Sequence, residues 1–156
     1  MTTHELRLLE LRVNTGGEPP LIVLQEVGGD RLLPIWTNFD GMTAIVAATE
    51  ASKAEVSSAQ VLLTELLTAF GHKLEAISIT GFEDGRFFTE ITVDKLKFGL
   101  RPTDAIALSF LAGCRITCDE EVLAAAGILP EAAQEVERFR EFLDSVEPTD
   151  FSSDGP

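Results

Sequence analysis

Apolar and charged residues nearly alternate over residues 5–13. A period of two is typical of a strand that buries one face. Two further apolar runs, residues 21–24 and 31–36, flank the pair Gly28-Gly29. A glycine pair between two such runs predicts a tight hairpin turn, because the turn needs backbone angles that glycine adopts easily. The first part of the chain is therefore predicted to hold three strands.

The apolar spacing becomes helical after the third strand. Residues 40–51 are predicted to form a helix whose start Asn38 or Asp40 can cap. A second helix is predicted from about residue 57 to residue 70, followed by Gly71 as its stop signal. Its apolar stripe consists of Leu62, Leu63, Leu66, Leu67 and Phe70.

Alternation returns in residues 74–82 and 87–93, on either side of a turn at residues 83–86. A strand at residues 95–100 would complete a second three-stranded meander. The two meanders are separated in the chain by the two predicted helices.

Residues 105–112 are apolar nearly all round and predict a buried helix. A strand at residues 115–118 and a short helix at residues 119–127 are predicted to follow. Hairpins with helices grouped between them predict the α+β class: a single domain with a mixed or antiparallel sheet and packed helices.

The composition changes after Pro130, since residues 131–156 hold eight acidic residues and two arginines. We expect residues 1–130 to form the domain, 131–147 a C-terminal helix and 148–156 a disordered tail. The helix would carry one apolar stripe of Val136, Phe139, Phe142, Leu143 and Val146. Apolar surface of this size usually marks an interface. We therefore expect a homo-oligomer, a dimer or larger, to which this helix contributes contacts.

The net charge of the chain limits the classes of molecule that it can bind. The chain has 26 acidic and 12 basic residues and a formal charge of −14, which disfavours nucleic-acid backbones and anionic lipid. Binding to nucleic acid is expected to be weak, and no membrane contact is expected. The first ten residues hold no apolar run of the kind that a secretory signal needs. These features predict a cytoplasmic protein.

Few residues offer nucleophilic or metal chemistry. Cys114 and Cys118 would lie ~13 Å apart along a strand, too far for a disulfide, and are interpreted as structural thiols. His4 is expected to fray with the terminus, and His72 to interact with the carbonyl groups at the end of the preceding helix. The chain has neither a Gly-x-Ser-x-Gly motif nor a P-loop, which excludes the corresponding serine hydrolases and nucleotide sites.

Several carboxylates stand at predicted helix starts. Asp40 opens the first helix and residues 119–121 open the last, where acidic side chains commonly complement the helix dipole. Asp104 differs because it enters a nearly all-apolar helix close to Arg101. A carboxylate there needs a partner. A structural Arg–Asp clamp and a functional pair both remain open.

Residues 101–108 read Arg-Pro-Thr-Asp-Ala-Ile-Ala-Leu. This run resembles the Arg-Pro-Ser-Asp-Ala-Ile-Ala-Leu signature of the bifunctional nuclease domain family, formerly a domain of unknown function. Other stretches agree with the family pattern in order and spacing: residues 21–26, 31–36, 77–80, 84–88, 120–128 and 135–143. The resemblance covers most of residues 5–147. It implies a nuclease, a hydrolase that cleaves the phosphodiester bonds of DNA or RNA.

Two departures from the family pattern concern the site. Thr37-Asn38 replaces the usual Ile-Gly, with Asp40 at the acidic position that follows. Ala59-Gln60-Val61 stands where the family commonly has Thr-His-Asp. This chain therefore lacks that histidine and that aspartate.

The sequence leads to two hypotheses. In the first, Asp40 and Asp104 hold Mg²⁺ or Mn²⁺ and Arg101 steadies charge on a phosphate, so that these three residues are the catalytic set. No organic cofactor is expected. In the second, the domain is a non-catalytic regulatory or protein-interaction module of the same fold.

Overall fold

A computed structural model describes residues 2–13, 15–49 and 59–131. Within these ranges the order of elements matches the prediction. The strands are β1 (Thr3–Arg12), β2 (Leu21–Glu26), β3 (Leu32–Trp36), β4 (Leu74–Glu83), β5 (Arg86–Val93), β6 (Leu96–Leu100) and β7 (Ile116–Asp119). The helices are α1 (Phe39–Thr49), α2 (Ala59–Ala69), α3 (Pro102–Ala112) and α4 (Glu120–Ala126). The predicted tail helix and its oligomer contacts lie outside the described residues.

All seven strands form one sheet in the order β3-β2-β1-β7-β4-β5-β6. The two predicted meanders are its two halves, and β7 joins them. This strand pairs antiparallel with β1 and parallel with β4, which makes the sheet mixed. The predicted α+β class is confirmed. The predicted turns are present too, with Gly28 (φ 78°) in the first hairpin and Gly85 (φ 76°) in the second.

The buried helix α3 is the centre of the core. Its residues from Ala105 to Leu108 are all at most 1% exposed, as the uninterrupted apolar run predicted. The helix α1 packs closely against α3, and Gly41 explains how. A Cβ at this position would lie 2.7 Å from Cγ2 of Thr103, so glycine is what allows the two helix starts to meet.

The helix α2 departs from its prediction. Its apolar stripe suggested a buried face, yet none of its residues is fully buried. Leu67 is the stripe residue that packs against a core cluster. Leu62 and Phe70 are 56% and 74% exposed. The helix is amphipathic as predicted, but no other element in the described part of the chain covers its apolar face.

Both histidine predictions were wrong. His4 does not fray, because it lies within β1, opposite Cys118 of β7. The ring of His72 contacts the carboxylate of Asp94 instead of the helix carbonyls, although its backbone N–H does donate to Leu67 O. The contact with Asp94 joins residues 22 apart in sequence, which the local spacing around His72 does not reveal.

The cysteine prediction is confirmed. Cys114 is partly buried, Cys118 is buried and neither forms a disulfide. Burial raises the pKa of the Cys118 thiol to about 12 and also raises the pKa of the Cys114 thiol. Both thiols are therefore poor nucleophiles.

No helix in the described ranges is both long and apolar enough to cross a membrane.

Candidate functional site

The start of α3 carries an arginine–carboxylate pair. Arg101 has extended backbone angles (φ −67°, ψ 147°) and Pro102 follows as the first helical residue, where a missing N–H costs nothing. Nε of Arg101 donates to Oδ2 of Asp104 at 2.8 Å, and Nη2 lies 3.4 Å from Oδ1. The side chain of Arg101 is 74% exposed and that of Asp104 only 22%. The predicted clamp is present, with its cation facing solvent.

A third residue completes this group. Nε2 of Gln60, at the start of α2, donates to Oδ1 of Asp104 at 2.8 Å. Both oxygens of Asp104 therefore accept hydrogen bonds from side chains. The hydrogen bond to Asp104 and its negative charge raise the pKa of Arg101, and the charge of Asp40 adds to this effect. Asp104 is thus a fixed anchor that orients a permanently charged guanidinium group.

Asp40 belongs to the same neighbourhood. The helix α1 is capped by Asn38, whose Oδ1 accepts from Gly41 N at 2.8 Å, so Asp40 is not needed as the cap. Gly41 packs on Thr103. Asp40 precedes Gly41 and Asp104 follows Thr103, so the two carboxylates flank the same helix–helix contact. The three predicted site residues come together, whatever their role.

A groove of about 1060 Å³ opens beside Arg101. It runs between the β3 end of the sheet and the β4–β5 hairpin. Its walls include Trp36, Arg86, Phe88, Leu100, Arg101 and Ala126. Trp36 and Phe88 are 49% and 51% exposed. Arg86 forms no ion pair with any residue that the structure describes.

This lining combines two cations with exposed aromatic rings. Guanidinium groups bind phosphate through paired N–H donors. Aromatic rings provide flat surfaces on which bases stack, worth about 1–3 kcal/mol per base. The groove therefore carries the kinds of side chain that can bind a phosphodiester chain with unpaired bases.

The residues near Arg101 offer limited metal chemistry. Across the described ranges, no group of three or more His, Cys, Asp and Glu side chains is placed to hold a metal ion. Two carboxylates can still suffice for Mg²⁺, which often keeps water ligands and shares substrate phosphate oxygens. Asp40 and Asp104 are the pair that would do so, once Asp104 gave up part of its contact with Arg101.

A second arginine cluster escaped the sequence analysis. Arg31 donates to both oxygens of Glu26, at 3.0 Å each, and to both oxygens of Glu120, at 2.9 Å each. His4 lies between the same carboxylates, with Nδ1 3.0 Å from Glu26. Its Nε2 is 2.5 Å from Glu120 without the alignment of a hydrogen bond. We call His4, Glu26, Arg31 and Glu120 the Arg31 cluster.

The Arg31 cluster joins three elements that are far apart in sequence: β1, the β2–β3 hairpin and the start of α4. The hydrogen bonds from Arg31 lower the pKa of Glu120 to about 2 and also lower the pKa of Glu26. The hydrogen bonds to Glu120 and Glu26 raise the pKa of Arg31. Every guanidinium edge is occupied, which indicates a structural role for this arginine.

A buried helix headed by an Arg-Pro-Thr-Asp turn and set against a sheet of two meanders defines an α+β domain. The sequence profile of the bifunctional nuclease domain matches residues 22–131. The chain belongs to this family, as the resemblance implied.

Two curated proteins resemble the chain over nearly its full length. Both are uncharacterised proteins of Mycobacterium tuberculosis, from the strains CDC 1551 and H37Rv. Each is 34% identical to this chain over 161 residues, covering 96% of this chain and 98% of the relative.

Proposed function

We propose that this protein is a nuclease that binds the phosphodiester backbone of DNA or RNA in the groove beside Arg101. The observation that carries the proposal is the exposed Arg101 guanidinium, oriented by Asp104 and placed next to Arg86 and two exposed aromatic rings. Family membership supports the same reaction class.

In this proposal the residues divide the work. Arg101 keeps N–H groups free of Asp104 and donates them to a phosphate oxygen, where negative charge grows as the bond to the leaving group breaks. Gln60 and Asp104 fix the position of that guanidinium group. Asp40 and Asp104 are the residues that would hold Mg²⁺ or Mn²⁺, an ion that lowers the pKa of bound water and so supplies hydroxide.

The test uses labelled single- and double-stranded DNA and RNA with Mg²⁺, Mn²⁺ or EDTA. We expect cleavage that requires the divalent ion, favours single strands and is lost in Asp104→Asn. Asp104→Asn keeps the shape of the side chain, and circular dichroism confirms the fold. Cleavage that persists in EDTA would refute the metal requirement, and a fully active, folded Asp104→Asn protein would remove Asp104 from the site.

Binding should be weak and only mildly dependent on salt. Arg86 and Arg101 are the two cations of the groove, and each phosphate contact contributes about −0.7 to the salt slope on a single strand. We expect a slope of about −1.4 from titrations at several salt concentrations, falling by half in Arg86→Ala. A much steeper slope would place the phosphate contacts on some other surface.

A second candidate is a binding module without catalysis. The specific observation is Gln60, which contacts Asp104 at the position where family members commonly carry histidine. An amide cannot act as a general base. The two histidines of the chain lie elsewhere, His4 in the Arg31 cluster and His72 beside Asp94. Retention of single strands with no cleavage under any metal condition would favour this candidate.

A further inference from the structure

Among the residues that the structure describes, the strand β6 is an open edge of the sheet. It pairs with β5 and ends the strand order. Its side chains Leu96 and Phe98 are 63% and 51% exposed. Long apolar edge strands are normally avoided or covered, because their unpaired backbone groups can accept another strand.

The apolar residues of β6 share the face that carries the core. Leu96 lies opposite Val93 and Phe98 opposite Ile91, and both partners are at most 9% exposed. Residues opposite each other in a sheet point to the same face. The core-side face therefore continues onto β6, but the helices that cover β4 and β5 do not cover this strand.

The exposed stripe of α2 borders the same region. Leu67 of α2 and Leu100 of β6 both pack against the core cluster that contains Ile91 and Val93. The contact of His72 with Asp94 ties the end of α2 to the β5–β6 turn. The exposed large apolar residues of these two elements are Leu62, Leu63, Leu66, Phe70, Leu96 and Phe98. Exposed apolar side chains in such number usually mark an interface.

The backbone of β6 offers a defined pairing edge. The turn between β5 and β6 is a two-residue turn, with Asp94 and Lys95 both at positive φ, so Val93 and Leu96 form the first hydrogen-bonded pair. Hydrogen bonding then alternates along an antiparallel pair. The N–H and C=O groups of Lys97 and Gly99 consequently point away from β5, toward the open edge.

We propose that a second copy of this chain pairs its β6 antiparallel with this edge, around a two-fold axis at Phe98. In this register Phe98 faces Phe98, Leu96 faces Leu100 and Lys97 faces Gly99. Every apolar side chain meets an apolar one, and the free groups of Lys97 and Gly99 bond each other. An axis at Lys97 would place two lysines opposite each other, and an axis at Gly99 would place Lys97 opposite Arg101, so charge selects the first register.

Single cysteines test the register in the full chain. Phe98 would form a pair without hydrogen bonds, with a Cα–Cα distance of about 4.5 Å, which suits a disulfide. Under mild oxidation we expect Phe98→Cys to give a covalent dimer joined at residue 98 and Lys97→Cys to give much less. Peptide mass spectrometry distinguishes this bond from one that uses Cys114 or Cys118. Equal cross-linking of the two variants would overturn the register.

Light scattering tests the assembly itself. We expect the full chain to be a dimer over a wide concentration range, Phe98→Asp to be a monomer, and Leu9→Asp, at an exposed apolar position on β1, to remain a dimer. The cysteine experiment stands even if Phe98→Asp does not fold. A monomeric wild type would overturn the proposal, and a lowered melting temperature of Phe98→Asp would then indicate that residues 132–156 cover this surface in the same chain. A dimer unaffected by Phe98→Asp would also overturn it.

Discussion

Two arginines hold carboxylates in this molecule, and they do so in opposite ways. Arg31 contacts both oxygens of Glu26 and of Glu120, and only 26% of its side chain is exposed. Among the described residues, the side chain of Arg101 forms hydrogen bonds with Asp104 alone, and it is 74% exposed. The first guanidinium group uses four of its five N–H donors, whereas the second keeps several donors available beside a groove.

The difference separates a structural charge cluster from a cation that is still available to bind a ligand. A guanidinium group with four charge-assisted hydrogen bonds keeps one of its five N–H donors and cannot bind a phosphate through paired donors. One held by a single carboxylate is oriented but still available, which is what transition-state stabilisation requires. An arginine–carboxylate pair alone does not indicate function. The occupancy of the remaining N–H groups does.

Arg101→Ala should have the largest effect, and only on function. We expect cleavage of single-stranded substrate to fall about 100-fold, as when one preorganised donor is removed. The melting temperature should change little, because exposed ion pairs contribute about 0–1 kcal/mol. Steady-state rates and thermal melts of the same preparation measure both.

The control for Arg101→Ala is Arg115→Ala, which removes an equal charge from an exposed position outside the groove lining. If both variants lose activity equally, the effect is one of net charge and the site is misplaced. If Arg101→Ala unfolds the protein while remaining active in its folded fraction, the pair is structural like the Arg31 cluster.

Arg31→Met should show the reverse pattern. It keeps the apolar stem but strands two carboxylates and His4, so we expect the free energy of unfolding to fall by about 2 kcal/mol. Urea unfolding measures the loss, and Arg7→Met is the surface control, since Gln25 is the one side chain among the described residues to which Arg7 donates. Nuclease activity of the folded fraction should be unchanged. A stable Arg31→Met protein that has lost activity would instead place the Arg31 cluster in the functional site.

The fold could be predicted as far as local patterns reach. The hairpins and α3 follow from glycine turns and apolar spacing, both of which are properties of neighbouring residues. The position of β7 between β1 and β4 was not predictable, because it depends on pairing between segments 39 and more than 100 residues away in sequence. Pairing over such distances leaves no periodic signal in a single chain.

Some contacts of the two arginine groups could likewise be predicted from the sequence, and others could not. The pair of Arg101 and Asp104 lies three residues apart and could be inferred directly. The contact of Glu26 with Arg31 could have been predicted from the hairpin, which places the two residues opposite each other. Their backbones also form a hydrogen bond of 2.9 Å. No sequence pattern predicts the contacts of Gln60 with Asp104 and of Glu120 with Arg31, since helix packing alone brings these residues together.

Gln60→His sharpens the comparison by adding a possible general base next to Asp104 and Arg101. An imidazole at this position would be within reach of Asp104, which Gln60 contacts at 2.8 Å, and a carboxylate-oriented histidine is a general base near neutral pH. We expect cleavage to rise about tenfold, well below the full value of a general base. The same change would turn the binding module of the second candidate into a slow nuclease.

The control for Gln60→His is Gln60→Leu, which removes the hydrogen bond without adding a base. The expected result is a pH–rate profile that gains a rising limb near pH 6–7 in the histidine variant only. A folded Gln60→His protein that is no more active than Gln60→Leu would show that position 60 takes no part in proton transfer.

The smallest expected effect is the response of the Arg31 cluster to pH. Its hydrogen bonds lower the pKa of Glu120 from 4.5 to about 2 and lower the pKa of Glu26. A carboxylate whose pKa is lower in the folded state binds protons more readily when unfolded, so its stabilisation is complete above pH 4.5 and is lost as the pH falls toward 2.

The substitution Glu120→Gln removes this contribution. We expect the variant to melt a few degrees below the wild type at pH 7 and the gap to close between pH 5 and pH 2. A gap between wild type and Glu120→Gln that stays constant down to pH 2 would mean that Arg31 gains its stabilising role from packing and not from charge.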